Sequence, residues 1–412
     1  MARLVASGRW YDPVVVGGPT GSYAGRVGIS NRLHVVVFTD TFFETNGIGS
    51  YYRTLLEWSR RTGDFDLTVL CPARNDLQNG NGTAGVVAVR PALSGRNPFY
   101  RDLTIGCFSA SKLRDLIRRL PGRRVLHVAT SGPLGAAATA VARQLGIPIV
   151  GCYHTDLNRC ARLYGASILG QPGAWVGARI ASLCDRLAYG RCQAVCVPSA
   201  SAEATVKAFY AGPTTVIPNP VDVNRFRPSP TRAGRFRAKY CDNGRVLTVV
   251  VGRVAKEKNL DLVCELLASD ERLQLVFVGD GPHAATLLHR WGARVTGFLN
   301  GKELLEAYQQ ADLFVQLSVN ETFGMSLVEA LACGLPAIVL RSQGLAATIP
   351  PGCGVDVVEQ HELPSLADRC VSLVSDRTRY GESARAVREF VLTLASDAIL
   401  PKFIQFHAAH AQ

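Results

Sequence analysis

Val246 to Leu267 reads VLTVVVGRVAKEKNLDLVCELL, and its three parts decide the fold class. Val246 to Val251 is a short β-branched run with almost no polar interruption, the pattern of a strand covered on both faces. Gly252 to Asn259 is glycine-led and charged and reads as a loop. Leu260 to Leu267 has the spacing of an amphipathic helix, and a second strand, Leu273 to Val278, follows it. Strand, helix and strand in that order build a parallel sheet.

Working outward, the rhythm repeats. Downstream, Ala293–Thr296, Leu313–Gln316 and Pro336–Leu340 read as strands, with helices over Glu303–Gln310 and Met325–Cys333. Upstream, strands fit Leu33–Phe38, Leu67–Leu70, Val125–Val128, Ile147–Gly151 and Ala194–Val197, with helices over Ser50–Arg61, Ser109–Leu120 and Leu134–Leu145. Ile217 to Pro228 (IPNPVDVNRFRP) breaks the alternation with three prolines and reads as a hinge. The expectation is an α/β chain of two doubly wound domains, 32–216 and 229–395, joined by 217–228. An extension (1–31) and a tail helix (396–412) flank them. Ligands of such folds bind beyond the carboxyl ends of the strands, so the expected site is the cleft between the domains. Asn75 to Gly85 is polar and glycine-rich and reads as a mobile loop.

Composition narrows the classes. The chain has 412 residues, 47% hydrophobic and 19% charged, ordinary for globular domains and too apolar for disorder. No apolar run reaches the roughly 18 residues of a membrane span, and Val14–Val16 is too short for a signal-peptide core. Twelve scattered cysteines without a C-x-x-C suit a reduced, cytoplasmic setting. The excess of 45 basic over 33 acidic residues is the one unusual number. It fits nucleic acid, an anionic membrane or a phosphorylated ligand, but there is no zinc module or helix-turn-helix signature to support nucleic acid. Nine basic and two acidic residues fall between Arg90 and Arg124. There Leu113, Leu116, Ile117 and Leu120 mark a basic amphipathic helix, either lying on a membrane or packed on its own sheet.

Several motifs are weak. The early glycine cluster Gly17-Gly18-Pro19-Thr20-Gly21 lacks dinucleotide spacing, no P-loop is present, and Asp64-Phe65-Asp66 reads as a solvated turn before a strand. Val319 to Pro336 (VNETFGMSLVEALACGLP) says more. Glu321 precedes a helix N-terminus and Glu329 lies about one and a half turns inside it, placed to accept hydrogen bonds from sugar hydroxyls. From spacing alone, an N-terminal acid and an exposed helix glutamate fit equally well. Arg253 and Lys258 lie in a strand-to-helix loop, where two cations suit a diphosphate. Val278-Gly279-Asp280-Gly281-Pro282 is a second strand-end loop that allows close backbone approach.

GRVAKEKNL, VGDGP and ETFGMSLVEALACGLP, in this order, resemble the nucleotide-binding half of family-4 glycosyltransferases, which have the GT-B fold of two Rossmann-like domains facing across a cleft. FTDTFFETNGIGSYYRTLLEW (38–58) and TSGPLGAAATAVARQLGIPIVGCYHTD (130–156) resemble the acceptor half, so the resemblance spans residues 32–395. It implies a retaining, metal-independent glycosyltransferase that uses no cofactor. The donor is a UDP- or GDP-sugar, and the acceptor a lipid, a glycan or a natural product. It also implies roles by position. Glu321 meets the donor sugar, Glu329 the nucleotide ribose, and Arg253 and Lys258 grip the diphosphate. Phe323, Gly324 and Met325 offer backbone N–H groups, His154 lines the sugar site, and Gly47 and Gly49 form the glycine loop near the diphosphate. The chain departs from the family at Glu44, where a proline is usual, at Asn219-Pro220-Val221-Asp222, and in the spacing N-G-I-G. A nucleotide-sugar epimerase of the same fold and a catalytically silent partner subunit are the competing expectations, with peripheral attachment to an inner membrane face as a further one.

Overall fold

The computed structural model describes residues 32–44, 46–73, 85–96, 104–241, 244–342, 344–347 and 349–411. The N-terminal extension, its glycine cluster and loop residues 75–84 lie outside them. The chain divides into two compact units. Among the described residues the first comprises 32–197, Glu203–Ile217 and 400–411, the second Pro198–Ala202 and Pro218–Ile399. The crossing at Ile217–Pro218 opens the proline-rich segment. The last thirteen residues of the chain, expected as a separate tail, are part of the first unit.

The strands of the first unit are β1 (Leu33–Phe38), β2 (Asp66–Pro72), β3 (Val86–Val89), the hairpin β4 (Leu93–Arg96) and β5 (Thr104–Cys107), β6 (Arg123–Val128), β7 (Ile149–Cys152), β8 (Val195–Val197) and β9 (Thr214–Val216). Seven of them form one parallel sheet in the order β3-β2-β1-β6-β7-β8-β9. Around it lie α1 (Gly47–Thr62), α2 (Ala110–Arg118), α3 (Pro133–Leu145), α4 (Leu157–Tyr189) and α5 (Ala200–Lys207). β1 is buried along its whole length, which is why it reads as an unbroken apolar run.

The second unit carries α6 (Arg235–Tyr240), β10 (Val246–Val251), α7 (Leu260–Leu267), β11 (Leu273–Val278), α8 (Ala284–Trp291), β12 (Arg294–Val295), α9 (Gly301–Gln310), β13 (Leu313–Gln316), α10 (Met325–Ala332), β14 (Ala337–Leu340), β15 (Val355–Val358), α11 (Leu366–Ser375) and α12 (Arg377–Leu392). Its six parallel strands run β12-β11-β10-β13-β14-β15. α13 (Ser396–His410) ends the chain and passes from the second unit into the first. In each sheet the strand order reverses once, between β1 and β6 and between β10 and β13. A crevice opens at such switch points.

Two helices are decided by what they pack against. In α2, Leu113 and Ile117 are buried and the helix packs beside α3, so its apolar face belongs to the core. α4 is two helices joined at Leu169–Gly170, where Gly170 takes φ 62°. Its halves fold back on each other: Gly165 meets Gly173, Gly177 meets Ala161, and Asn158 donates to the Ala178 carbonyl and the Ser182 hydroxyl. No helix among the described residues is long and apolar enough to cross a membrane. None of the twelve cysteines, all among the described residues, is in a disulfide.

Candidate active site

In the second unit the loops after β10 and β13 meet at the switch point. Lys258 closes the 3₁₀ turn Lys256–Lys258 and its Nζ donates to Glu321 Oε1 at 2.6 Å. Arg253 pairs with Glu257 Oε1 at 3.3 Å. Both expected cations therefore sit in one strand-end pocket with Glu321, each held by a carboxylate. A diphosphate that recruits them has to compete with Glu257 and Glu321 for these charges.

Asn259 terminates the turn in the left-handed region at φ 57°, its side chain donating to the Leu317 carbonyl and tying the two loops together. Asparagine tolerates that conformation better than most residues. Gly324 begins α10 at φ 101°, a conformation that favours glycine. Beside it Phe323 is buried, and its carbonyl accepts from Leu345 N. The loop that carries Glu321 is thus seated on 344–345, and the first N–H groups of α10 have no partner within the helix.

Gly279 and Gly281 act on their neighbours. A Cβ on Gly279 would strike the Gly252 carbonyl, and one on Gly281 the Val254 carbonyl. They let the β11 loop close on the β10 loop, fixed by Gly252 N to Val278 O and Val254 N to Asp280 O. Glu329 lies further along α10, outside the pocket lining, and accepts from the Tyr308 hydroxyl at 2.8 Å. Crowding by protein pushes its carboxyl up to about 7, against the stabilising pull of Tyr308 and Arg225.

One residue joins this set that the motifs do not name. Gln316 ends β13, is 7% exposed and lines the same pocket. Its amide oxygen has no hydrogen-bond partner among the described residues. Leaving such an acceptor unsatisfied costs about 1–3 kcal/mol. The strand LFVQ carries the signal, a polar residue closing an apolar run. A wider depression lined by Pro228, Arg232, Tyr308 and Arg388 contains none of Arg253, Lys258, Gln316 or Glu321. Among the described residues no group of three or more His, Cys, Asp or Glu is arranged to hold a metal ion.

In the first unit Gly47 opens α1 and Asn46 caps it, accepting from Gly49 N at 2.9 Å. Gly49 has no room for a Cβ, because the carbonyls of Phe42 and Glu44 lie 2.9 and 2.8 Å from its position. Glu44, where the family has proline, bends back so that Oε2 accepts from Phe42 N at 2.9 Å. A side-chain bond thus closes this turn. Asp40, also unmarked by any motif, accepts from Thr130 Oγ1 and Leu134 N and fastens the end of β1 to the start of α3. His154 follows β7, buried, with Tyr51 packed on its ring and Nε2 2.9 Å from the Tyr52 hydroxyl. Burial holds its pKa down to about 3, so the imidazole is neutral.

Two family models match the chain. Residues 45–225 match glycosyltransferase family 4, and residues 235–389 match glycosyl transferases group 1. A GDP-mannose-dependent alpha-mannosyltransferase of Mycobacterium tuberculosis is 32% identical over 86% of this chain and 91% of its own. The sulfoquinovosyl transferase SQD2 of Arabidopsis thaliana is 27% identical over 77% of this chain and 61% of its own. Among solved structures, Anabaena HepE in complex with UDP and glucose superposes with a TM-score of 0.68 at 15% identity, covering 91% of this chain and 99% of that one. Sucrose-phosphate synthase of Thermosynechococcus elongatus gives 0.69 at 16%, covering 92% and 99%. These two likenesses are of fold.

Proposed function

The chain belongs to the glycosyltransferases that join a family-4 half to a group 1 half, and from that premise we propose a retaining mannosyltransferase that uses GDP-mannose and a lipid-borne hydroxyl. Its fold is GT-B and its general activity is glycosyl transfer from a nucleotide sugar. The donor reading is supported by the M. tuberculosis relative and by two more of the same name, from Corynebacterium glutamicum and Mycolicibacterium smegmatis, at 29% and 30% identity. GDP-mannose carries its sugar in α linkage, so an α-mannoside product retains configuration. The lipid reading is supported by relatives named alpha-monoglucosyldiacylglycerol synthase and phosphatidylinositol dimannoside mannosyltransferase.

In the step proposed, the bond from the anomeric carbon to the β-phosphate oxygen breaks. The acceptor oxygen bonds that carbon from the same face, and its proton passes to the departing phosphate. Arg253 and Lys258 stabilise the charge that builds on the leaving diphosphate, as preorganised cations do without a metal. Glu321, released from Lys258, accepts from the sugar, with the Gln316 amide beside it. Glu329 accepts from ribose, the start of α10 supplies N–H donors through Phe323, Gly324 and Met325, and neutral His154 is a sugar contact. The glycines 47, 49, 279 and 281 keep the loops close.

The observation that carries this reading is the Lys258–Glu321 pair at the β10/β13 switch point. Lys258→Ala and Glu321→Ala are each expected to abolish mannosyl transfer with circular dichroism unchanged, and transfer by wild type is expected to survive EDTA. Near-normal turnover by either variant ends the assignment. GDP released only when acceptor is present separates a transferase from an epimerase or a silent subunit. GDP, UDP and ADP compared by thermal shift report the nucleotide, since a ligand of the native state raises its stability.

The lipid surface is assigned to α4 rather than α2. Leu169 is 70% exposed, Trp175 60% and Ile180 59%, with Ile168, Val176, Leu183 and Leu187 also exposed. Positions 176, 180, 183 and 187 form one stripe of the second half of α4. Exposed Arg162, Arg179 and Arg186 accompany them, and the only acid within the helix, Asp185, is buried. Apolar area with cations and no exposed acid suits an anionic bilayer.

A further inference from the structure

We propose that His407, on the last helix, is a positioning residue for His154: four hydrogen bonds running through His127 and Tyr52 set which nitrogen of the His154 ring carries its proton. The inference rests on the reading of His154 as a sugar contact. All the groups belong to the first unit.

The chain begins at a backbone carbonyl. His407 Nδ1 lies 2.7 Å from Phe403 O, one turn back in α13. A carbonyl oxygen only accepts, so Nδ1 bears the hydrogen, and in a neutral ring Nε2 is then the acceptor. His127 Nδ1 lies 2.7 Å from His407 Nε2 and must donate to it. His127 Nε2 is therefore an acceptor, and at 2.6 Å it takes the proton of the Tyr52 hydroxyl. With its one hydrogen spent, the Tyr52 oxygen accepts from His154 Nε2–H. His154 is left with Nδ1 as its acceptor nitrogen.

The reverse polarity requires an imidazolium at His407. Tyr52, His127 and His407 are fully buried, and Phe403 packs on both His127 and His407. Burial holds His407 at about 3 and His127 well below its usual range. All three rings stay neutral, so one direction survives. A side chain some 250 residues away in sequence thus fixes both the orientation and the proton of the ring.

The test is ¹⁵N NMR of the full-length chain labelled at histidine, in which protonated and bare ring nitrogens have distinct shifts and His154 is identified by its loss in His154→Asn. Wild type is expected to show His154 as the Nε2–H form alone, unchanged from pH 5 to 8. Tyr52→Phe and His407→Phe should give a mixture of forms. His407→Gln, whose amide oxygen can accept from His127, should restore the single form. With GDP-mannose, His407→Phe should lower kcat on the order of tenfold and leave the donor KM nearly unchanged. A wild-type His154 protonated at Nδ1, or titrating within that range, overturns the relay whether or not the variants fold. So does an unchanged tautomer in both cutting variants. A correct tautomer in a chain that transfers no sugar from any nucleotide donor counts against the proposed function and leaves the relay standing.

Discussion

Glu329 has a carboxyl lifted to about 7 by the protein packed around it, and two consequences follow at that residue. Its folded pKa lies above the unfolded value near 4.5, so the folded state holds this proton more tightly. The stability it contributes is present at low pH and is lost as pH rises from about 4.5 through 7. Glu329→Gln should therefore add up to about 2 kcal/mol of stability at pH 8, read as a higher Tm, and change little at pH 4. That figure is discounted because the residue is only half-buried. Ribose hydroxyls that donate to the carboxylate favour its ionised form. Nucleotide binding near pH 6.5 should then release protons, measured by calorimetry in buffers of different ionisation enthalpy, and the release should vanish in Glu329→Gln. The role proposed for Glu329 was legible only through the motif, because an eight-residue spacing equally describes a solvated helix. His127 and His407 were not legible as members of the proposed relay. Their meaning lies in what surrounds them, and a buried histidine in LHV resembles any other core position until its partner 280 positions away is known.

At the scale of elements, α4 makes the clearest prediction. Trp175→Ser with Ile180→Ser should reduce sedimentation with phosphatidylglycerol vesicles severalfold, with little effect on GDP-induced stabilisation. The same pair of changes at Leu116, within α2, and Leu120, just after it, serves as the control. Equal binding by all variants, or binding by none, removes the lipid surface from α4. The inner parallel strands were readable, because burial on both faces leaves an apolar run that no helix shares: Leu33–Phe38, Val246–Val251, Leu273–Val278 and Leu313–Gln316 match their expected bounds, whereas the edge strands β3, β9 and β15 were not foreseen. α4 was not readable. Gly165, Gly170, Gly173 and Gly177 with Pro172 signal a loop, yet three of these glycines are the small surfaces on which its two halves meet. Local propensity there yields to tertiary contact.

Across the whole molecule, the last thirteen residues complete the unit that the first described strand begins. Phe403 and His407 are fully buried in it, and Arg123 at the start of β6 donates to the carbonyls of Ala408 and Ala411. Removing 400–412 should cost hydrogen-exchange protection in β1 and β6 while β10 and β11 keep theirs, and equal loss in both sheets would show a single cooperative unit instead. Domains of a growing chain usually fold in the order in which they emerge. Here that order is inverted at its end. The unit made first lacks part of its core, and the anchor of the proposed histidine relay, until residues 400–411 have been made. The second unit needs nothing beyond Ile399 and can close before the first is finished, so a chain cut before Leu400 is expected to fold its second sheet and leave the first incomplete.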